Sequence, residues 1–72
     1  MEALIKAFEV VGSASKLADA LGVTPSAVAQ WKSGERPIPV ERAQQIQALT
    51  RGAVTVRDLR PDLAAIFAAP AA

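Results

Sequence analysis

The residues whose types and spacing indicate a chemical task lie on a predicted helix over residues 25–33. At helical spacing, Val28 and Trp31 form an apolar stripe, and short uncharged side chains occupy the opposite face. Such a face can approach the floor of a DNA groove closely, whereas a merely solvated face usually carries Lys or Glu. The candidate contacts to base edges are Pro25, Ser26, Ala29 and Gln30. Gln30 can pair with adenine through two hydrogen bonds, Ser26 supplies a hydroxyl, and the other two suit a thymine methyl.

Side chains suited to phosphate flank this helix. Thr24 stands at its N-terminus, where free backbone N–H groups favour an anion. The candidate phosphate contacts are Ser15, Lys16, Thr24, Lys32, Ser33 and Arg36. Asp19 and Glu35 offset part of this charge, so we expect moderate affinity per subunit, clear salt dependence and two half-sites used together. The whole chain has a formal charge of only +1, which by itself does not indicate nucleic acid.

Composition argues against an enzyme. The chain has no histidine and no cysteine, which removes the commonest general base, the commonest metal ligand and any disulfide. The carboxylates are scattered without a convergent pair, and no glycine loop is suited to phosphate cradling. We therefore expect no catalytic residue, no metal and no cofactor. Charges interrupt the apolar N-terminus and no apolar run is long enough for a membrane span, so we expect a cytoplasmic protein without membrane contact.

Residues 14–33 have the pattern of a helix-turn-helix. Two short helices meet at Gly22, where a glycine allows the backbone to reverse. Ala18 is small enough for the two helices to cross closely, and Leu17 and Leu21 can bury the inner face. Each feature alone is common in small helical proteins, but their joint register favours a helix-turn-helix over a generic helical hairpin.

The remaining elements place this motif in an all-α domain. Helices are predicted over residues 2–11, 14–21, 25–33 and 39–51, each followed by a glycine. After Gly52 the chain either extends briefly through Val54 and Val56, or Thr55 caps a short helix that ends at Leu59. Pro61 can open a last turn with Leu63. The domain is expected to span residues 1–67, with a disordered Ala/Pro tail at 68–72. The apolar stripes predict a core of Leu4, Ile5, Phe8, Val11, Leu17, Ala18, Leu21, Val28, Trp31, Val40, Ala43, Ile46 and Leu49.

Several conspicuous side chains have plainer interpretations. The position of Trp31 on the Val28 stripe favours a core residue over a stacking contact with a base. Arg57 and Arg60 can reach phosphates, but acidic neighbours favour surface pairing or solvation. A solvated helix face and a polar dimer edge are both open for Gln44, Gln45 and Gln47. Core closure is favoured over a subunit contact for Leu59, Leu63, Ile66 and Phe67.

The segments "VAQWKSGERPIP", "ERAQQI" and "GAVTVRDLRPD" resemble the Cro-type phage repressors, especially the YdaS-like Cro regulators of prophages. The resemblance covers residues 4–62 and implies a compact four- to five-helix, lambda-repressor-like domain. It further implies a homodimer on a double-stranded operator with an inverted repeat, acting in a phage or prophage switch. The family's reading helix then falls on residues 24–32, in agreement with the spacing. The Ala-rich end from Ala64 onward carries no such match.

The sequence therefore leaves two candidate functions. The first is a sequence-specific transcriptional regulator of the Cro type. The second is a protein-interaction module, such as an antitoxin that binds a toxin partner, because some relatives are described as antitoxins. The second function predicts no salt-dependent affinity for DNA and tolerance of the substitution Gln30→Ala.

Overall fold

A computed structural model describes residues 2–63 of the chain as a set of packed helices. The helices are α1 (Glu2–Val11), α2 (Ala14–Leu21), α3 (Pro25–Ser33), α4 (Val40–Leu49) and α5 (Val56–Leu59), followed by a 3-10 turn at Pro61–Leu63. Within this part of the chain there is no strand. The predicted all-α fold is thus confirmed, and the first three helices have the predicted bounds. The domain end at residue 67, the 68–72 tail and the positions of Ile66 and Phe67 lie outside the described residues.

Helix α4 is shorter than the predicted 39–51. Pro39 has an extended backbone and precedes the first helical residue, because proline suits a helix start but not its interior. At the other end Thr50 is the C-cap, and Arg51 and Gly52 both have positive φ, of 52° and 84°. Left-handed residues close a helix, so α4 cannot continue to Arg51.

The segment after Gly52 forms the capped helix rather than an extension. The hydroxyl of Thr55 accepts from the Asp58 backbone N–H, and the Asp58 carboxylate accepts from the Thr55 N–H, at 3.2 and 3.0 Å. This reciprocal pair is a capping box. It settles the choice between the two predicted conformations in favour of the short helix through Leu59.

A single apolar core lies between the helices. Helix α1 packs against α2 and α5, α2 also packs against α3 and α4, and α4 packs against α5. The buried apolar residues are Leu4, Ala7, Leu17, Ala18, Leu21, Val28, Trp31, Ile38, Ala43, Ile46, Val54, Val56 and Leu59. Phe8 and Val11 are half-buried against this cluster. Among the described helices, none is long and apolar enough to cross a membrane.

The predicted core placement is wrong for two residues. Ile5 is 40 % exposed and Leu49 is 43 % exposed. On α1 the buried face centres on Leu4 and Ala7, and Ile5 lies about 100° around the helix from Leu4. On α4 the inward position after Ile46 is taken by Thr50, one residue further along. Val40, also predicted to point inward, is half-buried.

Thr50 is a buried polar residue that ties the end of α4 to the start of α5. Its hydroxyl lies 2.9 Å from the Ile46 carbonyl, to which it can donate, and accepts from the Val54 N–H at 3.1 Å. The side-chain amide oxygen of Gln47 accepts from the Val56 N–H at 2.8 Å. These bonds satisfy backbone groups in the α4–α5 turn that no helix could pair.

The neighbours Leu4 and Ile5 provide a matched test of this core. Leu4→Ala removes a fully buried side chain and is expected to lower the free energy of unfolding by about 2–5 kcal/mol. Ile5→Ala removes a side chain from the edge of the core and is expected to cost less than about 1 kcal/mol. Urea unfolding followed by circular dichroism measures both. Equal losses for the two variants would show that the buried face of α1 is assigned wrongly.

Candidate nucleic-acid interface

Helices α2 and α3 form the predicted helix-turn-helix. Gly22 ends α2 with a left-handed φ of 71°, and its N–H donates to the Asp19 carbonyl at 3.2 Å. The Val23 N–H donates to the Ala18 carbonyl at 3.0 Å. Ala18 is fully buried, as expected for the small residue at a close helix crossing. The left-handed turn predicted at Gly22 and the inward position predicted for Ala18 are therefore confirmed.

Side-chain caps hold the starts of both helices. Ser13 caps α2 by accepting from the Lys16 N–H, and Thr24 caps α3 by accepting from the Ala27 N–H, each at 3.1 Å. Pro25 follows Thr24 in the first turn of α3, where its missing N–H costs nothing. The Thr24 hydroxyl proton is not used by this cap, so it remains able to donate to an anion.

The outward face of α3 collects the predicted base contacts. Val28 and Trp31 are 1 % and 5 % exposed, which confirms Trp31 as a core residue. On the other side Pro25, Ser26 and Ala29 are exposed, and Gln30 is half-buried. All four predicted base contacts thus share one accessible helix, and Gln30 is the longest side chain among them.

The predicted phosphate contacts lie in the first turn of α2, at the start of α3 and around its C-terminal end. Ser15 and Lys16 are exposed in the first turn of α2, and the Lys16 side chain lies against Gly12. Lys32 and Arg36 are exposed at and beyond the end of α3. No carboxylate of residues 2–63 forms an ion pair with any of these three cations.

Ser33 is more constrained than the sequence indicates. Its hydroxyl donates to the Gln30 carbonyl at 3.1 Å and accepts from the Glu35 N–H at 3.3 Å. The hydroxyl therefore serves the C-terminal turn of α3, which Gly34 closes with a φ of 82°. A phosphate contact from Ser33 would have to replace one of these local bonds.

Comparison with known proteins assigns the family. The family model described as "Bacterial toxin YdaS" matches residues 4–66. The chain belongs to the YdaS family. It is 47 % identical over 58 residues to the "Putative transcriptional regulator YdaS" of Escherichia coli strain K12, an alignment that covers 81 % of this chain. The chain spans about three fifths of that relative, because the same alignment covers 59 % of it.

The fold also matches a solved structure of a Cro protein. The Cro protein of prophage element Xfaso 1 from Xylella fastidiosa strain Ann-1 superposes with a TM-score of 0.77 and 45 % sequence identity. The match covers 86 % of this chain and 94 % of the Cro chain. The Cro-like, helix-turn-helix fold implied by the sequence resemblance is thereby confirmed.

Two arginines of this YdaS-family chain bond backbone carbonyls near the motif, and residue types alone did not predict these two bonds. Arg42 donates to the Leu21 carbonyl at the end of α2 at 2.8 Å and to the Gln45 side chain at 2.9 Å. Arg60 donates to the Ile38 carbonyl at 2.8 Å and pairs with both carboxylate oxygens of Asp62. The predicted pairing of Arg60 with an acidic neighbour is confirmed. One signal for Arg42 was available, since a cation in the first turn of a helix opposes that helix's own dipole.

The residues described contain no cluster of three or more side chains suited to a metal ion. The exposed surface around α3 instead offers hydroxyls, one amide and three cations. These groups can form hydrogen bonds and ion pairs with a polyanion.

The Arg60–Asp62 pair predicts a stability loss in acid. The hydrogen bond from Arg60 lowers the pKa of the Asp62 carboxyl below its usual 3.8, and the Thr55 backbone N–H lowers that of Asp58. A carboxyl with a lower pKa in the folded state stabilises the fold above its unfolded pKa, and this contribution disappears as the pH falls through the folded value. We expect the melting temperature to fall progressively below about pH 4.

The variant Asp62→Asn tests the origin of that loss. It is expected to melt at a lower temperature than the unaltered chain at pH 7 and to depend less on pH below 4. Glu9→Gln, which neutralises an exposed carboxylate on α1, is the matched control. If Asp62→Asn and Glu9→Gln give the same melting curves from pH 2 to 7, the ion pair does not contribute.

Proposed function

We propose that this YdaS-family chain is a sequence-specific DNA-binding regulator of the Cro type that reads the major groove with α3. The observation that carries the proposal is the outward face of α3, mostly short and uncharged, with cations at its C-terminal end that pair with no carboxylate of residues 2–63. A recognition helix needs this combination, since the helix axis must approach the base edges while cations meet the phosphates.

In this proposal the middle of α3 specifies the sequence. Gln30 pairs with adenine through its side-chain amide, and Ser26 contacts either a donor or an acceptor on a neighbouring base. Pro25 and Ala29 contact a thymine methyl. The backbone carbonyl of Gln30 accepts from the Arg36 N–H at 3.2 Å and from Ser33, which holds the end of α3 while leaving the Gln30 amide available.

The residues around α3 supply affinity rather than specificity. The Thr24 hydroxyl and the Ser26 N–H of α3 meet one phosphate, and the first turn of α2 meets another. Lys32 and Arg36 lie on the far side, so the two sets of contacts bracket the reading face. The proposed phosphate contacts are Ser15, Lys16, Thr24, Lys32, Ser33 and Arg36. Each cation that neutralises a phosphate makes binding more sensitive to salt.

The assembly we propose is a homodimer on an inverted repeat, at least when DNA is bound, in the bacterial cytoplasm. A single reading helix and three cations give limited affinity, and two copies related by a two-fold axis read two half-sites together. The similarity to a regulator and to a prophage Cro protein supports control of transcription, with repression in a phage or prophage switch as the specific role. DNA binding of this kind involves no chemical reaction, so the proposal includes no cofactor.

The description of the YdaS family as a bacterial toxin favours one other candidate. In that candidate the same helical core binds a protein, as one member of a toxin–antitoxin pair. Affinity for DNA would then be weak and insensitive to sequence, and the exposed face of α3 would contact protein instead.

Genomic selection tests the proposed function. Purified chain is incubated with sheared DNA from its source genome at near-physiological salt, and bound fragments are recovered and sequenced. Enrichment of a short inverted repeat, with half-sites one helical turn or a multiple apart, is expected. A single half-site would retain the regulator and remove the dimer. Folded protein that enriches no sequence would favour the protein-binding candidate.

The substitution Gln30→Ala separates reading from folding. It is expected to leave the melting temperature almost unchanged and to reduce discrimination at one base position by about 1–3 kcal/mol. Binding to a set of single-base operator variants measures that loss, with Gln44→Ala on the exposed face of α4 as the control. The reading face is assigned wrongly if Gln30→Ala unfolds the protein or keeps the original base preference.

A further inference from the structure

We propose that Arg42 is a positioning residue for DNA reading, which holds the helix-turn-helix turn in place from outside the motif. The inference rests on the proposed function and extends it to a residue that does not itself touch DNA. Arg42 lies in the first turn of α4, and its guanidinium donates to the carbonyl of Leu21, the last residue of α2, at 2.8 Å. The two residues are separated by 21 positions, and the whole reading helix lies between them.

The Leu21 carbonyl needs a donor from elsewhere in the fold. In a continuing helix it would accept from the N–H four residues later, and that residue is Pro25, which has no N–H. Of the three N–H groups of the turn, those of Gly22 and Val23 are directed to the Asp19 and Ala18 carbonyls, and that of Thr24 makes no bond to the Leu21 carbonyl. Arg42 therefore supplies the hydrogen bond that the turn itself cannot make.

The helix dipoles also favour a contact between the Arg42 guanidinium and the C-terminus of α2. A cation in the first turn of α4 is unfavourable for α4, whose N-terminus carries partial positive charge. Helix α2 has no basic residue in its last turn, where a cation is favourable. The Arg42 guanidinium thus stabilises the C-terminus of α2 rather than its own helix. The side-chain oxygen of Gln45, one turn further along α4, accepts from the same nitrogen at 2.9 Å and orients the group.

This hydrogen bond joins the two ends of the chain segment that contains the reading helix. The chain passes from Leu21 through the turn, along α3 and through the 34–39 loop into α4, and Arg42 then returns to Leu21. The direction in which α3 leaves α2 depends on the turn, so a free turn would let α3 sample other orientations. Holding the turn lowers the conformational entropy that DNA binding must remove.

The test compares Arg42→Met with the conservative Arg42→Lys. Met keeps an apolar stem but has no donor, whereas Lys keeps the charge and can donate to one acceptor. Arg57→Met, which removes an exposed cation of α5, is the matched control for net charge. Two quantities are measured: amide hydrogen exchange of Gly22 and Val23 in the free protein, and the Kd for the selected operator over a range of salt concentrations.

If Arg42 is a positioning residue, the Gly22 and Val23 amides exchange faster in the Arg42→Met variant than in the unaltered chain, while the α1 amides stay protected. Its Kd rises about tenfold, the scale of one hydrogen bond to a charged group. The slope of log Kd against log salt stays that of the unaltered chain, because no phosphate contact is lost. Arg42→Lys recovers part of both effects, and it carries the test if Arg42→Met does not fold.

Three results would overturn the proposal. A salt slope reduced by about one would show that Arg42 contacts a phosphate directly. Faster exchange in all helices together, with an unchanged Kd where the variant is folded, would show a contribution to global stability alone. Unchanged exchange and unchanged Kd would show no role. If the unaltered chain bound no DNA, the proposed function would fail, and the exchange data would still decide whether Arg42 holds the turn.

Discussion

The helix-turn-helix depends on a small, buried side chain at Ala18 and a left-handed glycine at Gly22. Ala18 is fully buried, and a longer side chain there would displace the helices that pack on α2, because interiors are packed too tightly to absorb the extra volume. Gly22 reverses the chain in a conformation that other residues adopt only with strain. With α3 seated this way, Val28 and Trp31 enter the core, and the polar face of α3 is left exposed.

So short a turn leaves backbone groups without partners, and distant side chains satisfy them. Arg42 donates to the Leu21 carbonyl before the motif turn, and Arg60 donates to the Ile38 carbonyl in the loop after α3. Arg42 lies in α4 and Arg60 is the C-cap of α5, so both follow α3 in the chain. Backbone groups before and after α3 are thus bonded by side chains that do not belong to the motif.

The surface of the motif divides the proposed work of recognition. Uncharged residues occupy the centre of the exposed face, where base edges would lie, and the cations stand at its borders, where phosphates would lie. The near-zero net charge of the chain does not conflict with this arrangement, since five of the seven acidic residues lie outside residues 14–36 and only Asp19 and Glu35 lie within them. What a polyanion meets is the local distribution of charge, and the sum over the chain is a poor guide to it.

The sequence by itself determined the all-α class, the bounds of α1 to α3 and the helix-turn-helix, because caps, glycines and apolar spacing are local signals. Ser13, Thr24, Gly22 and Gly34 each act within a few residues of their position, so their effect can be deduced without the fold. The same locality made Trp31 predictable as core, since it shares a stripe with Val28. It also made the capping box at Thr55 one of two foreseeable outcomes.

Only the tertiary structure decided how wide each buried face is and which polar groups bond across the chain. Ile5 and Leu49 fit their stripes but lie where none of the helices within residues 2–63 covers them, and Ile38 is buried although it belongs to a loop. The roles of Arg42 and Arg60 depend on carbonyls 21 and 22 residues away, which no local pattern specifies. Burial and long-range hydrogen bonds are properties of how elements pack, and packing is settled only when all the elements are in place.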